Sequence, residues 1–172
     1  MENTIKEKLI KEARRIEEDS LYSAKGHFAA ANFWTNFHFW VGVPTAILAA
    51  IASASALSRF DNHNIIAGVL AIIVTALTAV TTFLNPNEKV NSHLNAGNKY
   101  NLLRNKARKF CEIDCCVVDS IQELSKRLNE LAEQRDELNI KSPQIPRCAY
   151  KKAKKGIEEG EADYKVDKNE NI

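Results

Sequence analysis

Charge is missing from two long stretches of this chain. Residues 39–58 and 65–84 contain no Asp, Glu, Lys or Arg. A charge at the centre of a membrane-spanning helix costs ~2.5 kcal/mol or more on insertion scales, so windows of this kind are what a bilayer requires. The apolar runs they mark, residues 37–57 and 65–84, hold 21 and 20 residues. At ~1.5 Å per residue each reaches roughly 30 Å, the thickness of a bilayer's hydrocarbon core. Averages conceal this partition: a mean hydropathy of −0.32 and 27% charged residues describe an ordinary soluble protein.

Catalytic and cofactor signatures are missing too. There is no Walker A loop and no G-x-G-x-x-G. The four histidines, His27, His38, His63 and His93, are scattered, and none belongs to a cluster that would make a nucleophile and its base. Cys111 and Cys115 stand four apart on one helical face, a spacing two metal ligands use, but no second C-x-x-C or histidine pair accompanies them. They read, with Cys116 and Cys148, as free thiols in a reducing compartment. The sequence predicts no catalytic residue, no metal, no cofactor and no enzyme.

What is present organises around the two runs. The polar break between them, SRFDNHN at residues 58–64, is short, so the helices must be antiparallel neighbours. The expected fold is an all-α membrane protein: a two-helix transmembrane hairpin over residues 37–84 (spans about 37–57 and 65–84) with a cytoplasmic antiparallel helical or coiled-coil domain. The first run starts too late, and after too charged a flank, for a cleavable signal peptide. Residues 85–109 carry six basic side chains against Glu88 alone, which places both termini in the cytoplasm by the positive-inside rule.

Residues 1–36 read as an amphipathic helix leading into the membrane, with Ile5, Leu9, Ile16 and Leu21 on one face. Trp34 and Trp40 suit the membrane interface, and Gly42 and Pro44 predict a bend just inside it. Numerous Ala, Gly and Ser residues in the runs favour close helix packing and assembly into a homo-oligomer in lipid. Ser53 and the stripe Thr75, Thr78 and Thr82 are candidate pore-lining residues; the alternative is that such hydroxyls bond their own helix carbonyls. In residues 85–141 a heptad stripe from Leu103 to Leu138 predicts one helix of roughly 54 Å, interrupted in its apolar character only by Asp114 and Arg135. Pro143 and Pro146 end it. Residues 142–172 form a tail with a short basic and then acidic helix, whose lysines read as a solvated face.

Residues 85–110, NPNEKVNSHLNAGNKYNLLRNKARKF, resemble the SLATT family, a two-transmembrane effector domain found beside nucleotide-second-messenger synthases in bacterial conflict systems. The match rests on the proline after the second run, the histidine seven residues on, AGN-x-Y and LLRNKAR. It extends to the tail, IPRCAYKKAKKGIEEGEADYKVD. The resemblance implies an oligomeric effector of antiphage defence and abortive infection in the bacterial inner membrane. Such an effector permeabilises that membrane when triggered by a cyclic or linear oligonucleotide; no DNA or RNA duplex is implied. Physical chemistry adds candidate ligand-binding residues: His93, Asn98 and Tyr100 for a base, and Lys99, Arg104 and Arg108 for phosphates. The competing reading of the basic residues is contact with lipid headgroups. The competing reading of the whole chain is a membrane-anchored coiled-coil scaffold that recruits a soluble partner without pore activity.

Overall fold

The computed structural model describes residues 2–59 and 61–168, and these are helical with no strand among them. Residue 60 of the expected break, and residues 1 and 169–172 of the expected terminal segments, lie outside the described residues. The chain divides into two compact units, one made of residues 2–31 with 92–168 and the other of residues 32–91.

The second unit holds the apolar runs. Helix α1, Glu2–Leu57, enters it without interruption and continues through Pro44, beside which the Thr45 hydroxyl donates to the Val41 carbonyl at 2.7 Å. Helix α2 is His63–Leu84. Asparagines in the left-handed region flank it on both sides, Asn62 at φ 63° and Asn85 at φ 44°. Asparagine visits this region more cheaply than other side-chain-bearing residues, so the chain leaves regular helix at both points without glycine. The Asn85 N–H also donates to the Thr81 carbonyl at 3.1 Å, closing the end of α2. Large apolar side chains cover the outside of this unit: Trp40 is 72% exposed, Ile72 71% and Phe83 89%, and no residue of α2 is buried. A soluble protein rarely leaves so continuous an apolar surface in water. Both helices are long and apolar enough to cross a membrane.

In the first unit the sequence expectation of one long heptad helix is corrected. Helix α3, Pro86–Lys109, runs into a π-helical turn, Phe110–Asp114, and a last short turn, α4, Cys115–Val117. Val118 then turns extended and α5, Ile121–Lys141, returns antiparallel to α3. The Tyr100 hydroxyl meets Asn139, the Lys106 amine meets Gln134 at 2.8 Å, and Asp114 pairs with Arg127 at 3.3 Å. The physical cause of the reversal is local. Ser120 caps α5, its hydroxyl accepting from the Glu123 N–H, within an S-x-x-E capping sequence that starts a new helix. Asp114, odd as a heptad member, marks the approach to this break.

The N-terminal part of α1 packs antiparallel to α3, bringing Cys111 to the Ile10 carbonyl and Arg14 to Glu112. Ala13, Ile16, Leu103, Ala107, Phe110, Leu124, Leu128 and Leu131 form one core among α1, α3, the π-helical turn and α5. Fully burying a Leu, Ile or Phe stabilises by about 1.5–3 kcal/mol each, so this cluster dominates the unit's stability. Cys111 and Cys115 belong to it, and burial pushes the Cys111 thiol up to about 11. It stays a protonated thiol at neutral pH. Helix α6, Arg147–Glu158, lays Ala149, Ala153 and Gly156 inward and turns its lysines out, where Lys154 and Lys155 pair with Glu158 and Glu159. Gly160 at φ 85° ends it, and α7, Lys165–Lys168, follows.

Candidate functional site

Two polar features in the first unit stand out from its apolar core. One is a buried histidine pair. His27 on α1 and His93 on α3 place their Nδ1 atoms 2.9 Å apart, and both residues are almost fully buried. At that distance one Nδ1 carries the shared proton and the other accepts it. Desolvation, with the nearby His93 second, lowers His27 from 6.5 to about 4, so His27 is neutral at neutral pH. Tyr100 stacks on the His27 ring at 5.5 Å and 16°, and its hydroxyl donates to Asn139 Oδ1 at 2.8 Å. The polar chain thus ties α1, α3 and α5 together. One glycine lets these helices close up: a Cβ on Gly97 would stand 2.8 Å from the Phe28 ring.

The other feature is a cleft of about 800 Å³ lined by α1, α3, the π-helical turn and the segment between α6 and α7. Arg104 and Arg108, one turn apart on α3, both lie against the Tyr164 ring, with guanidinium carbons 5.3 and 4.5 Å from its centroid. The Arg104 Nε is buried with no hydrogen-bond partner among the described residues. Arg14, across the cleft, is differently placed: Glu112 and Glu17 both accept from it, and the Glu112 bond is the main cause of its raised pKa.

A family model described as the SMODS and SLOG-associating 2TM effector domain, family 4, matches residues 7–170. This chain belongs to the SLATT family. No curated protein and no solved structure matches it.

In this SLATT chain the six candidate ligand residues fall into four places. His93 and Tyr100 are buried in the histidine network, where their polar atoms face protein groups. Lys99 lines a separate pocket of about 230 Å³ with Glu137 and Lys141, and Asn98 is exposed on α3. Only Arg104 and Arg108 meet in one cleft. Sequence reading missed His27, Asn139, Arg14 and Tyr164 as partners of these residues. Of the pore-lining candidates, Thr75, Thr78 and Thr82 share one exposed groove of about 650 Å³ on α2, and Ser53 does not line it. The Thr75 hydroxyl donates to the Ala71 carbonyl at 2.8 Å and Ser53 to Ala49 at 2.9 Å, so both are satisfied within their own helices.

Proposed function

We propose that this SLATT chain is an oligomeric inner-membrane effector of bacterial antiphage defence that permeabilises the membrane under control of a nucleotide-type signal. The observation that carries the reading is the charge-free pair of apolar helices with their side chains turned outward, in a chain of a two-transmembrane effector family. The segments before and after those helices pack into one unit, which favours a hairpin whose flanks share one side of the bilayer. Positive-inside charge makes that side the cytoplasm. The small residues of the runs supply a packing seam for homo-oligomers in lipid.

The scaffold alternative is weakened by the fate of its coiled coil. Leu124, Leu128 and Leu131, the stripe that would recruit a partner, are buried against this chain's own α1 and α3. Replacing residues 37–84 by an unrelated two-span anchor separates the readings. Cells expressing the native chain with its trigger are expected to depolarise, read by a voltage-sensitive dye, and cells with the swapped hairpin are expected to stay polarised. Depolarisation that survives the swap would sink the permeabilising role.

A further inference from the structure

The cleft of Arg104, Arg108 and Tyr164 shares out its hydrogen bonds unevenly. Three arginines and three carboxylates, Glu17, Glu112 and Asp163, line it. Two of the carboxylates are spent on Arg14, which they hold by hydrogen bonds. Among the described residues neither Arg104 nor Arg108 has a carboxylate within ion-pairing distance. Tyr164 does not supply what is missing. A guanidinium lying on an aromatic ring is attracted through its face, and its five N–H donors, which lie in its plane, keep their capacity for an acceptor. The Arg104 Nε is both buried and without such an acceptor among the described residues, a state that is unfavourable while it persists.

Planar, forked donors one helical turn apart suit the oxygens of a phosphate, which accept two parallel N–H bonds from one guanidinium. The volume of about 800 Å³ lies within the range of small-molecule sites. The charge bounds the ligand further. The formal charges of the lining, three arginines and three carboxylates, cancel, so a ligand of small charge, a phosphate mono- or diester, fits better than a long polyphosphate. Tyr164, 37% exposed, offers an aromatic ring next to that anion position.

We propose that this cleft binds a nucleotide carrying one or two phosphate charges, with Arg104 and Arg108 holding the phosphate and Tyr164 stacking with the base. The proposal places the signal site of the function above, and takes its biological role from that reading. Binding itself is measured without any membrane leakage, so each can fail alone. Lys99 and the lysines of α6 lie outside the cleft and take no part.

The test is calorimetric titration of the full chain in phosphatidylcholine nanodiscs with three probes: AMP, cyclic di-AMP and inorganic phosphate. Saturable binding of at least one base-bearing probe is expected, weakened roughly tenfold or more by Arg104→Gln or Arg108→Gln. Arg104→Lys, which keeps the charge and loses the fork, should weaken it as well. Tyr164→Leu should weaken the nucleotides and leave inorganic phosphate unchanged, and Lys152→Gln should change nothing. Circular dichroism of each variant separates lost binding from lost fold. The absence of saturable binding by all three probes overturns the proposal, as does binding that ignores both arginine substitutions. Nanodiscs containing phosphatidic acid form the last arm: if that lipid abolishes nucleotide binding through the same arginines, the cleft is a headgroup site and the assignment to a nucleotide fails.

Discussion

Replacing Phe110 with alanine is expected to destabilise the helical unit by about 3–5 kcal/mol, the largest effect of any single truncation in its core. Phe110 is 1% exposed and opens the π-helical turn, where the Cys115 N–H reaches back to the Phe110 carbonyl. Its ring packs in the cluster that joins α1, α3 and α5. Truncation removes the ring's transfer free energy and leaves a void between three helices that are tied elsewhere by hydrogen bonds and so collapse only partly. Thermal unfolding of the detergent-solubilised chain, followed by circular dichroism, should show a clearly lowered midpoint. Val117→Ala, a few residues on and 74% exposed, should shift it by no more than about 0.5 kcal/mol equivalent. Equal effects from the two would mean that the core does not lie where the structure puts it.

Acid should be the second strong lever. His27 titrates near 6.5 when unfolded and at about 4 when folded, because burial disfavours its charged form and His93 faces it. Between those values the unfolded chain binds more protons, so stability is fully present above pH 6.5 and falls as pH drops toward 4. The full difference amounts to roughly 3 kcal/mol. Only one proton fits between two Nδ1 atoms 2.9 Å apart, so the pair cannot carry protons on both facing nitrogens. Unfolding midpoints measured from pH 7.5 to pH 4 should therefore slope downward in the native chain. In the double variant His27→Phe, His93→Leu the slope should flatten, with the pair's proton linkage removed; an unchanged slope would assign the acid sensitivity to other groups.

Much of this architecture was legible because membrane insertion and core burial leave simple marks. The two charge gaps locate α1's apolar end and α2 to within two residues, since a misplaced charge there is so costly. The prolines at 143 and 146 likewise separate α5 from α6. The long heptad helix misled because two antiparallel helices packed on a common partner each show the same stripe, and a stripe has no direction. The decisive mark was small: Ser120 and Glu123, two residues of a capping sequence. The histidine pair left a trace as well. His27 and His93 lie equally far along the chain from the polar break between the apolar runs, the symmetry that antiparallel pairing of their helices, α1 and α3, calls for. Tyr164 left none, because it reaches Arg104 and Arg108 from beyond the end of α6, where no periodicity constrains the side chain.

The first unit is discontinuous in sequence, residues 2–31 on one side of the apolar helices and 92–168 on the other. Its order of manufacture follows. A ribosome delivers the N-terminal stripe of Ala13 and Ile16 first, then both apolar helices, and only afterwards Leu103, Phe110 and Leu124, against which that stripe is buried. The ties that complete the unit span 66 to 101 residues. Until those residues emerge the early stripe has no cover, while α2 is already available to lipid. Insertion thus precedes closure during synthesis, and a nascent chain stalled before residue 103 should be anchored yet open to proteases along its first 31 residues.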